Sequence, residues 1–386
     1  MIITRVQLLN WKNFREIDVK LGERCFIVGA NASGKSNFID ALRFLRDIAK
    51  QSGGLQEAVE SRGGITKIRC LAARVHTEVS ITVELGEIEA SESTWKYHLS
   101  FQHTGGGIRK NQVKIISEQV WAGQKLILNR PIASEDEETL KFTHLEQITA
   151  NKKFREIQSF FENIEYLNVV PQLVRESGRS YSQVSKEDYY GRNFLEKLSK
   201  YNVTKRNAYF RRINEVLKVA VPQLKELNYI TDDMGVPHLE AKYQHWRPNG
   251  GKQQEQQFSD GTLRLIGFLF ALLDFNSVIL LEEPEINLHT EIIRQLPEFI
   301  SKIQRSRKPP RQVIITTHSY EMLAGEGVGS DEVLVLKTSS EGTTITTAAN
   351  IKEVSQIIDA GLSIAEAVLP LTKPENVDQL TLKLDL

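Results

Sequence analysis

The residues Gly29-Ala30-Asn31-Ala32-Ser33-Gly34-Lys35-Ser36 fit the pattern G-x-x-x-x-G-K-[ST] at every fixed position. These residue types at this spacing bind phosphate. The glycines let the backbone curl so that its N–H groups converge on phosphate oxygens, and the helix that follows turns its positive end toward the anion. Lys35 reaches the β- and γ-phosphates, and the Ser36 hydroxyl ligates Mg²⁺. Gly29, Asn31, Ser33, Gly34, Lys35, Ser36 and Asn37 are therefore the predicted nucleotide contacts. A chance Gly-rich turn before a helix is the bland alternative. The intact Gly-Lys-Ser and its flanks oppose it.

A second string, Leu280-Leu281-Glu282-Glu283, is an apolar run that ends in two acids. A buried parallel strand delivers its C-terminal residues beside a phosphate loop. By position, Glu282 serves the metal shell and Glu283 orients or deprotonates the attacking water. His318, in Thr317-His318-Ser319, ends the next apolar run and would sit by the γ-phosphate if the two strands are neighbours. Phe258-Ser259-Asp260-Gly261-Thr262 precedes another apolar helix. Ser259 and Gly261 at a helix start suit an anion. A plain N-cap by Ser259 or Asp260 suits the same residues, and the two readings are compatible.

The elements that must position these groups follow from periodicity. Arg24–Val28 is a short apolar run of strand type, and Asn37–Leu45 has apolar residues at helical spacing. A strand pair, Ile3–Leu9 and Phe14–Leu21, precedes them. After a short helix at Leu55–Ser61 the period changes to two at Val75, Glu78–Leu85, Trp95–Phe101 and Gln112–Ile116, with Gly105-Gly106-Gly107 as a hairpin tip. Residues 135 to 225 lean helical, most clearly at Asn151–Phe161 and Phe194–Val219, with a polar loop at Glu176–Asn193. Residues 226–247 return to strands, and Arg247–Gln257 reads as a flexible connector. Leu263–Leu273 is a buried helix and Glu291–Ile303 an amphipathic one. Ser277–Leu281, Gln312–Thr317 and Glu332–Leu336 are buried strands, so strand alternates with helix and a parallel sheet is expected. Three units are expected: 1–134, 135–250 and 251–386. The tail from Thr372 is polar.

The chain has 386 residues, 40% hydrophobic and 25% charged, with zero formal net charge. That is the balance of a globular protein without a global basic field, so nucleic acid would have to be met by local patches. Two such patches exist. Lys205, Arg206, Arg211 and Arg212 surround Tyr209 and Phe210, while Lys302, Arg305, Arg307, Lys308 and Arg311 precede the His318 strand. Basic residues with aromatics bind phosphates and stack bases. The bland reading is a solvated helix face with its aromatics in the core. Two cysteines, Cys25 and Cys70, exclude a disulfide framework or zinc cluster. The opening reads as a strand rather than a signal peptide, and no stretch reaches membrane-spanning length, so a cytoplasmic, reduced protein is expected.

In order, GANASGKSN, FSDGTLRL, VILLEEPEINLH and IITTHS resemble the ABC-type ATPase heads of the RecF and SMC families. The nearest likeness is to AAA-type ATPases related to the ATPase part of OLD-family nucleases, and LNWKNFREID resembles their opening. The resemblance covers residues 1–60 and 255–325 strongly. It implies an α/β P-loop NTPase head with a mixed sheet, an antiparallel β subdomain and an inserted, mainly helical lobe. It also implies ATP and Mg²⁺, and a homodimer closed around two nucleotides. Ser259 and Gly261 would then meet the γ-phosphate held by the other subunit, Glu282 the metal, Glu283 would be the base and His318 the switch histidine. Asn287-Leu288-His289 falls at the dimer-crossing loop. Gln172 is the candidate for the Q-loop glutamine at the metal.

Three departures from the pattern stand out. The signature reads SDGT, Glu282 replaces the commoner Asp, and no glutamine is fixed by pattern as the Q-loop residue. The stretch after His318 is short for a Toprim nuclease domain and contains no D-x-D pair, so a nuclease of its own is not expected. The implied function is an ATP-driven switch for a separate effector protein, with phage defence as one setting. The alternative is a RecF-like DNA-binding ATPase of repair or recombination. A small-molecule phosphotransferase has no need of the SDGT element or the EEPE segment.

Overall fold

The computed structural model describes residues 1–73, 77–87, 93–104, 112–176, 194–244, 251–306, 311–325 and 327–373. The chain opens with β1 (Ile2–Trp11) and β2 (Phe14–Lys20), an antiparallel pair. Phe14, Ile17 and Val19 alternate inward against charged neighbours, the period of a strand with one wet face. Next, β3 (Arg24–Gly29) is buried at every position. Helix α1 (Lys35–Ala49) buries Phe38, Leu42 and Leu45 at helical spacing. The short α2 (Leu55–Glu60) and α3 (Ile65–Ile68) follow. Strands β4 (Val79–Gly86), β5 (Trp95–His103), β6 (Val113–Ala122) and β7 (Lys125–Arg130) then extend the opening pair into an antiparallel sheet of order β2-β1-β4-β5-β6-β7.

The middle of the chain holds α4 (Arg155–Glu162), β8 (Glu165–Leu167), α5 (Pro171–Glu176), α6 (Phe194–Ser199) and α7 (Val203–Ala220). A three-stranded antiparallel sheet follows, made by β9 (Leu224–Thr231), β10 (Pro237–Tyr243) and β11 (Lys252–Gln254). The last part runs α8 (Asp260–Asp274), β12 (Val278–Glu282), α9 (Thr290–Arg305), β13 (Gln312–Thr317), α10 (Tyr320–Ala324), β14 (Val333–Ser339), β15 (Gly342–Thr347), α11 (Lys352–Asp359) and α12 (Ile364–Val368).

The sheet that carries the chemistry has the order β15-β14-β3-β13-β12-β8. Its strands are parallel except β15, which pairs antiparallel with β14. Both faces are covered, which explains the continuous apolar runs. Ile27, Leu280 and Ile314 join the core shared with α1 and the antiparallel sheet. Their neighbours Val28, Leu281 and Ile315 join the opposite core, with α8, α9 and the central lobe. At about 1.5–3 kcal/mol for each buried Ile, Leu or Val, these two layers hold the strand ends in fixed register.

Several elements differ from the sequence expectation. The long helix expected at Phe194–Val219 is two helices, because Asn202 caps α7 through Lys205 N. The helix expected from Asn151 begins as a 3-10 turn, Ala150–Lys153, ahead of α4. The connector expected at Arg247–Gln257 is partly a strand. β11 pairs with β10, and the buried Glu255 accepts from Leu239 N at 2.9 Å and meets His238 at 2.8 Å. β8, which the sequence grouped with the inserted lobe, is the edge strand of the chemistry-bearing sheet. Val75, the Gly105–Gly107 tip, residues 177–193 of the polar loop, 247–250 of the connector, Arg307, Lys308 and the tail beyond Lys373 lie outside the described residues. Among the described residues no helix is long and apolar enough to cross a membrane.

Candidate functional site

The phosphate loop joins the end of β3 to the start of α1. Gly34, the residue before the helix, has φ +104°, and a Cβ there would stand 2.2 Å from the Asn13 side chain. Only glycine fits that close approach and that left-handed backbone. Asn13 comes from the β1–β2 turn. Its Nδ2 donates to Ser33 O at 2.8 Å, and its Oδ1 accepts from Asn37 Nδ2 at 2.8 Å. Thr343 of β15 donates to the same Ser33 carbonyl at 2.9 Å. The loop is thus clamped from both sides. Helix α1 has no side-chain cap, so the N–H groups of its first turn are left for an anion. Ser33 Oγ is buried with no hydrogen-bond partner. Lys35 is also buried, and its ammonium donates to Gly29 O at 3.0 Å and Ala30 O at 3.2 Å. Burial lowers its pKa, and the carboxylates of Glu283, Glu285 and Glu282 pull the other way.

Parallel register brings the acids to this loop. Glu282 pairs with Thr316, and Thr316 with Ile27, so the ends of β12, β13 and β3 lie side by side. Ser36 Oγ donates to Glu282 Oε1, and the Tyr166 hydroxyl donates to Glu282 Oε2 at 2.5 Å. Glu283 leaves the strand at φ +43°, with its N–H on Thr316 O at 3.0 Å. That turn aims its carboxylate at His318, whose Nδ1 is 3.1 Å from Glu283 Oε1. Glu285 is buried, and its Oε1 accepts from Thr317 Oγ1 at 2.5 Å. Burial raises its carboxyl pKa. A hydroxyl and a carboxylate in hydrogen-bond contact are the hard oxygen donors that Mg²⁺ takes alongside phosphate oxygens. Ser36 and Glu282 fit that role. A carboxylate with a histidine beside it can orient and deprotonate water.

The signature residues are engaged differently. Ser259 Oγ accepts from Thr262 N at 3.2 Å and shares a hydrogen with Thr262 Oγ1 at 2.8 Å, which makes it the N-cap of α8. A Cβ on Gly261 would lie 2.3 Å from Asn287 O, so the turn after β12 packs directly on the helix start. Asp260 takes an ion pair from Arg175 at 2.5 Å and a hydrogen bond from Gln172 Nε2 at 3.3 Å. Gln172 therefore faces the start of α8, because α5 packs there. Its amide does not join the Ser36–Glu282 pair in this structure. His289 caps α9, accepting from Glu291 N at 3.2 Å.

Sequence reasoning missed Asn13, Tyr166, Thr343 and Glu285. Glu285 had a signal, as the last acid of EEPE, and Asn13 lies within the opening string LNWKNFREID. Of the basic patches, α7 turns Tyr209 and Phe210 into the core. Lys205 pairs with Asp274 at 3.1 Å, and Arg206 covers the Tyr229 ring at 4.0 Å. Arg211 and Arg212 are exposed. In the second patch Lys302 pairs with Glu298 at 2.6 Å.

Comparison with known proteins gives one sequence relative and a set of structural ones. Over 96 residues the chain is 28% identical to Endonuclease GajA of Bacillus cereus (strain VD045), a match covering 25% of this chain and 15% of that protein. The Smc head bound to the C-winged helix domain of ScpA superposes with TM-score 0.54 at 15% identity, over 90% of this chain and 97% of that one. The Smc head domain with an extended coiled coil, bound to the C-terminal domain of ScpA derived from Pyrococcus furiosus, gives 0.51 at 14% identity, over 93% and 99%. At such identities these likenesses establish the fold alone, that of the Smc head domain. A model of the P-loop containing region of AAA domains matches residues 3–46. A second family model runs from β3 to α10, residues 25–324, across the phosphate loop, the acid pair and His318 alike. On that match the chain belongs to the P-loop ATPase family described as "AAA domain, putative AbiEii toxin, Type IV TA system".

Proposed function

We propose that this chain binds ATP with Mg²⁺, hydrolyses it, and closes as a homodimer around two nucleotides to signal to a separate effector protein. One observation carries the reading. Two side-chain pairs, Ser36 with Glu282 and Glu283 with His318, converge at the ends of three adjacent strands next to an uncapped helix. Lys35 and the first-turn amides of α1 hold the β- and γ-phosphates. Ser36 and Glu282 hold Mg²⁺, which when bound offsets charge on the phosphate oxygens. Glu283 takes the proton of the attacking water, and His318 fixes the Glu283 carboxylate and faces the γ-phosphate. Gln172 reaches the metal only if α5 swings from Asp260 as the heads close. Ser259 and Gly261 complete the site of the other subunit.

An effector is proposed because a nucleotide-driven closure acts only through something that binds the two states differently. The family description, with its toxin of a Type IV TA system, supports a defence setting. The endonuclease relative supports a nucleic-acid connection, but the buried Tyr209 and Phe210 weigh against base stacking on α7. The test is sedimentation and turnover of wild type and Glu283→Gln. With ATP, the variant should accumulate as a dimer without releasing phosphate, and it should pull a different set of proteins from its host than the nucleotide-free form. Full turnover by a strictly monomeric protein, or by Glu283→Gln, would overturn the proposal.

A further inference from the structure

The metal-side acid of this site is a glutamate held at both oxygens. One oxygen takes the Ser36 hydroxyl and the other the Tyr166 hydroxyl. Three elements build this arrangement. Tyr166 lies on β8, in register with Leu280 of β12. Side chains of a strand alternate, so Leu280 and Glu282 share a face, and Tyr166 leans diagonally along that face to reach Glu282. The same face is covered by α1. Ser36 and Arg43 are seven residues apart on that helix, two turns along one side. Ser36 touches Glu282 itself, while the Arg43 guanidinium covers the Tyr166 ring at 4.1 Å from its centroid. The tyrosine is buried, and its ring belongs to the core beneath α1. It is therefore a fixed donor, pinned by packing and by a cation over its face.

The length of the acid explains why such a donor is needed. Glutamate has one more rotatable bond than aspartate, and that freedom must be lost before the carboxylate can hold a metal. A donor on the far oxygen removes the freedom in advance, the general way an outer partner orients a metal-binding side chain. It also leaves the near oxygen directed at Ser36.

We infer that Tyr166 is a positioning residue for the Mg²⁺ site, holding Glu282 so that its other oxygen is presented to the metal beside Ser36. The inference rests on Glu282 being the metal-side acid. Tyr166→Phe keeps the ring and removes only the hydroxyl. Affinity for a fluorescent ATP analogue, titrated with Mg²⁺ and repeated in EDTA, separates metal binding from nucleotide binding and from folding. The variant should need about ten- to a hundredfold more Mg²⁺ for half-maximal effect, the scale of a lost hydrogen bond to a charged group. Its affinity in EDTA and its melting temperature should match wild type. Glu282→Asp, too short to span both hydroxyls, should show a similar shift, and adding Tyr166→Phe to it should change little further.

If Glu282→Ala raises the Mg²⁺ requirement but Tyr166→Phe does not, the role of Tyr166 is overturned and the metal reading stands. If Glu282→Ala leaves the Mg²⁺ dependence untouched, the metal reading itself fails. Should Tyr166→Phe not fold, Glu282→Asp alone decides, and a wild-type Mg²⁺ dependence there overturns the inference.

Discussion

Two helix N-termini in this molecule have sequences that suit an anion, the second equally a plain N-cap by Ser259 or Asp260, and they are built in opposite ways. At α1 no side chain caps the helix, Lys35 is buried under the loop, and the surrounding polar side chains are tied to other strands. At α8 the first turn is satisfied from within: Ser259 caps it, Arg175 and Gln172 hold Asp260, and Asn287 covers Gly261. The same residue types thus give an uncapped helix start at one end and a closed turn at the other. What differs is whether the amides already have partners. A ligand at α8 must compete with a cap worth about 1 kcal/mol, which a phosphate held in place by a second subunit can do.

The comparison can be tested at five points. The largest effect belongs to Glu283, at the α1 end. Glu283→Gln should lower kcat about 10³-fold, within the span of a lost general base, while ATP affinity in a binding titration stays close to wild type. Lys35→Ala comes next, with ATP affinity falling about 100-fold, the scale of a lost charge donor on phosphate oxygens. The signature end should answer in stability as well as activity. Gly261→Ala drives a methyl into the Asn287 carbonyl, and overpacking of that kind costs about 1–3 kcal/mol in a denaturant melt. Ser259→Asp is the sharper variant: aspartate caps as well as serine, so the melt should not move, yet its charge should repel a γ-phosphate and abolish ATP-dependent dimerisation. If dimerisation survives Ser259→Asp, α8 is a capped helix and nothing more.

The smallest effect lies at the other end of α8. Burial alone would raise the Asp274 carboxyl, but Lys197 and hydrogen bonds from Tyr201 and Lys205 hold it down at about 2. The unfolded value is near 3.9. A depressed folded pKa contributes stability above pH 4 that is lost as pH falls toward 2. Melts from pH 5 down to pH 2 should separate wild type from Asp274→Asn at the upper end and bring them together at the lower. A gap unchanged with pH would mean that Asp274 acts through packing alone.

How much of this was legible follows from where the information sits in the chain. The phosphate loop, the acid pair and His318 are each written in a contiguous string, because a strand end and the turn after it are local. The clamp on the loop is not local. Asn13 and Thr343 meet on one carbonyl across a separation of 330 residues, and neither residue type is distinctive. Tyr166 likewise reads as an ordinary apolar position until β8 is seen beside β12. Gln172 was placed at the metal by resemblance, but in this structure α5 packs on α8 and turns it to Asp260. β11 was hidden by composition: Lys252, Gln253 and Gln254 are polar because the strand is an edge, and polarity was read as a connector. The break between α6 and α7 was readable in Asn202, a capping residue inside an otherwise helical pattern.

The position of β3 in its sheet governs the order in which the protein can be made. β3 lies between β13 and β14, both encoded near the other end of the sequence. A ribosome that has finished the phosphate loop has produced neither flanking strand, nor the threonine that clamps the loop. The antiparallel sheet and α1 can form early, since their contacts are comparatively local. The nucleotide site cannot. The nascent chain therefore carries Gly-Lys-Ser through most of its synthesis with only the Asn13 half of its clamp, and the Thr343 half is added only near the end. Any folding assistance this protein needs should act on that long-delayed pairing.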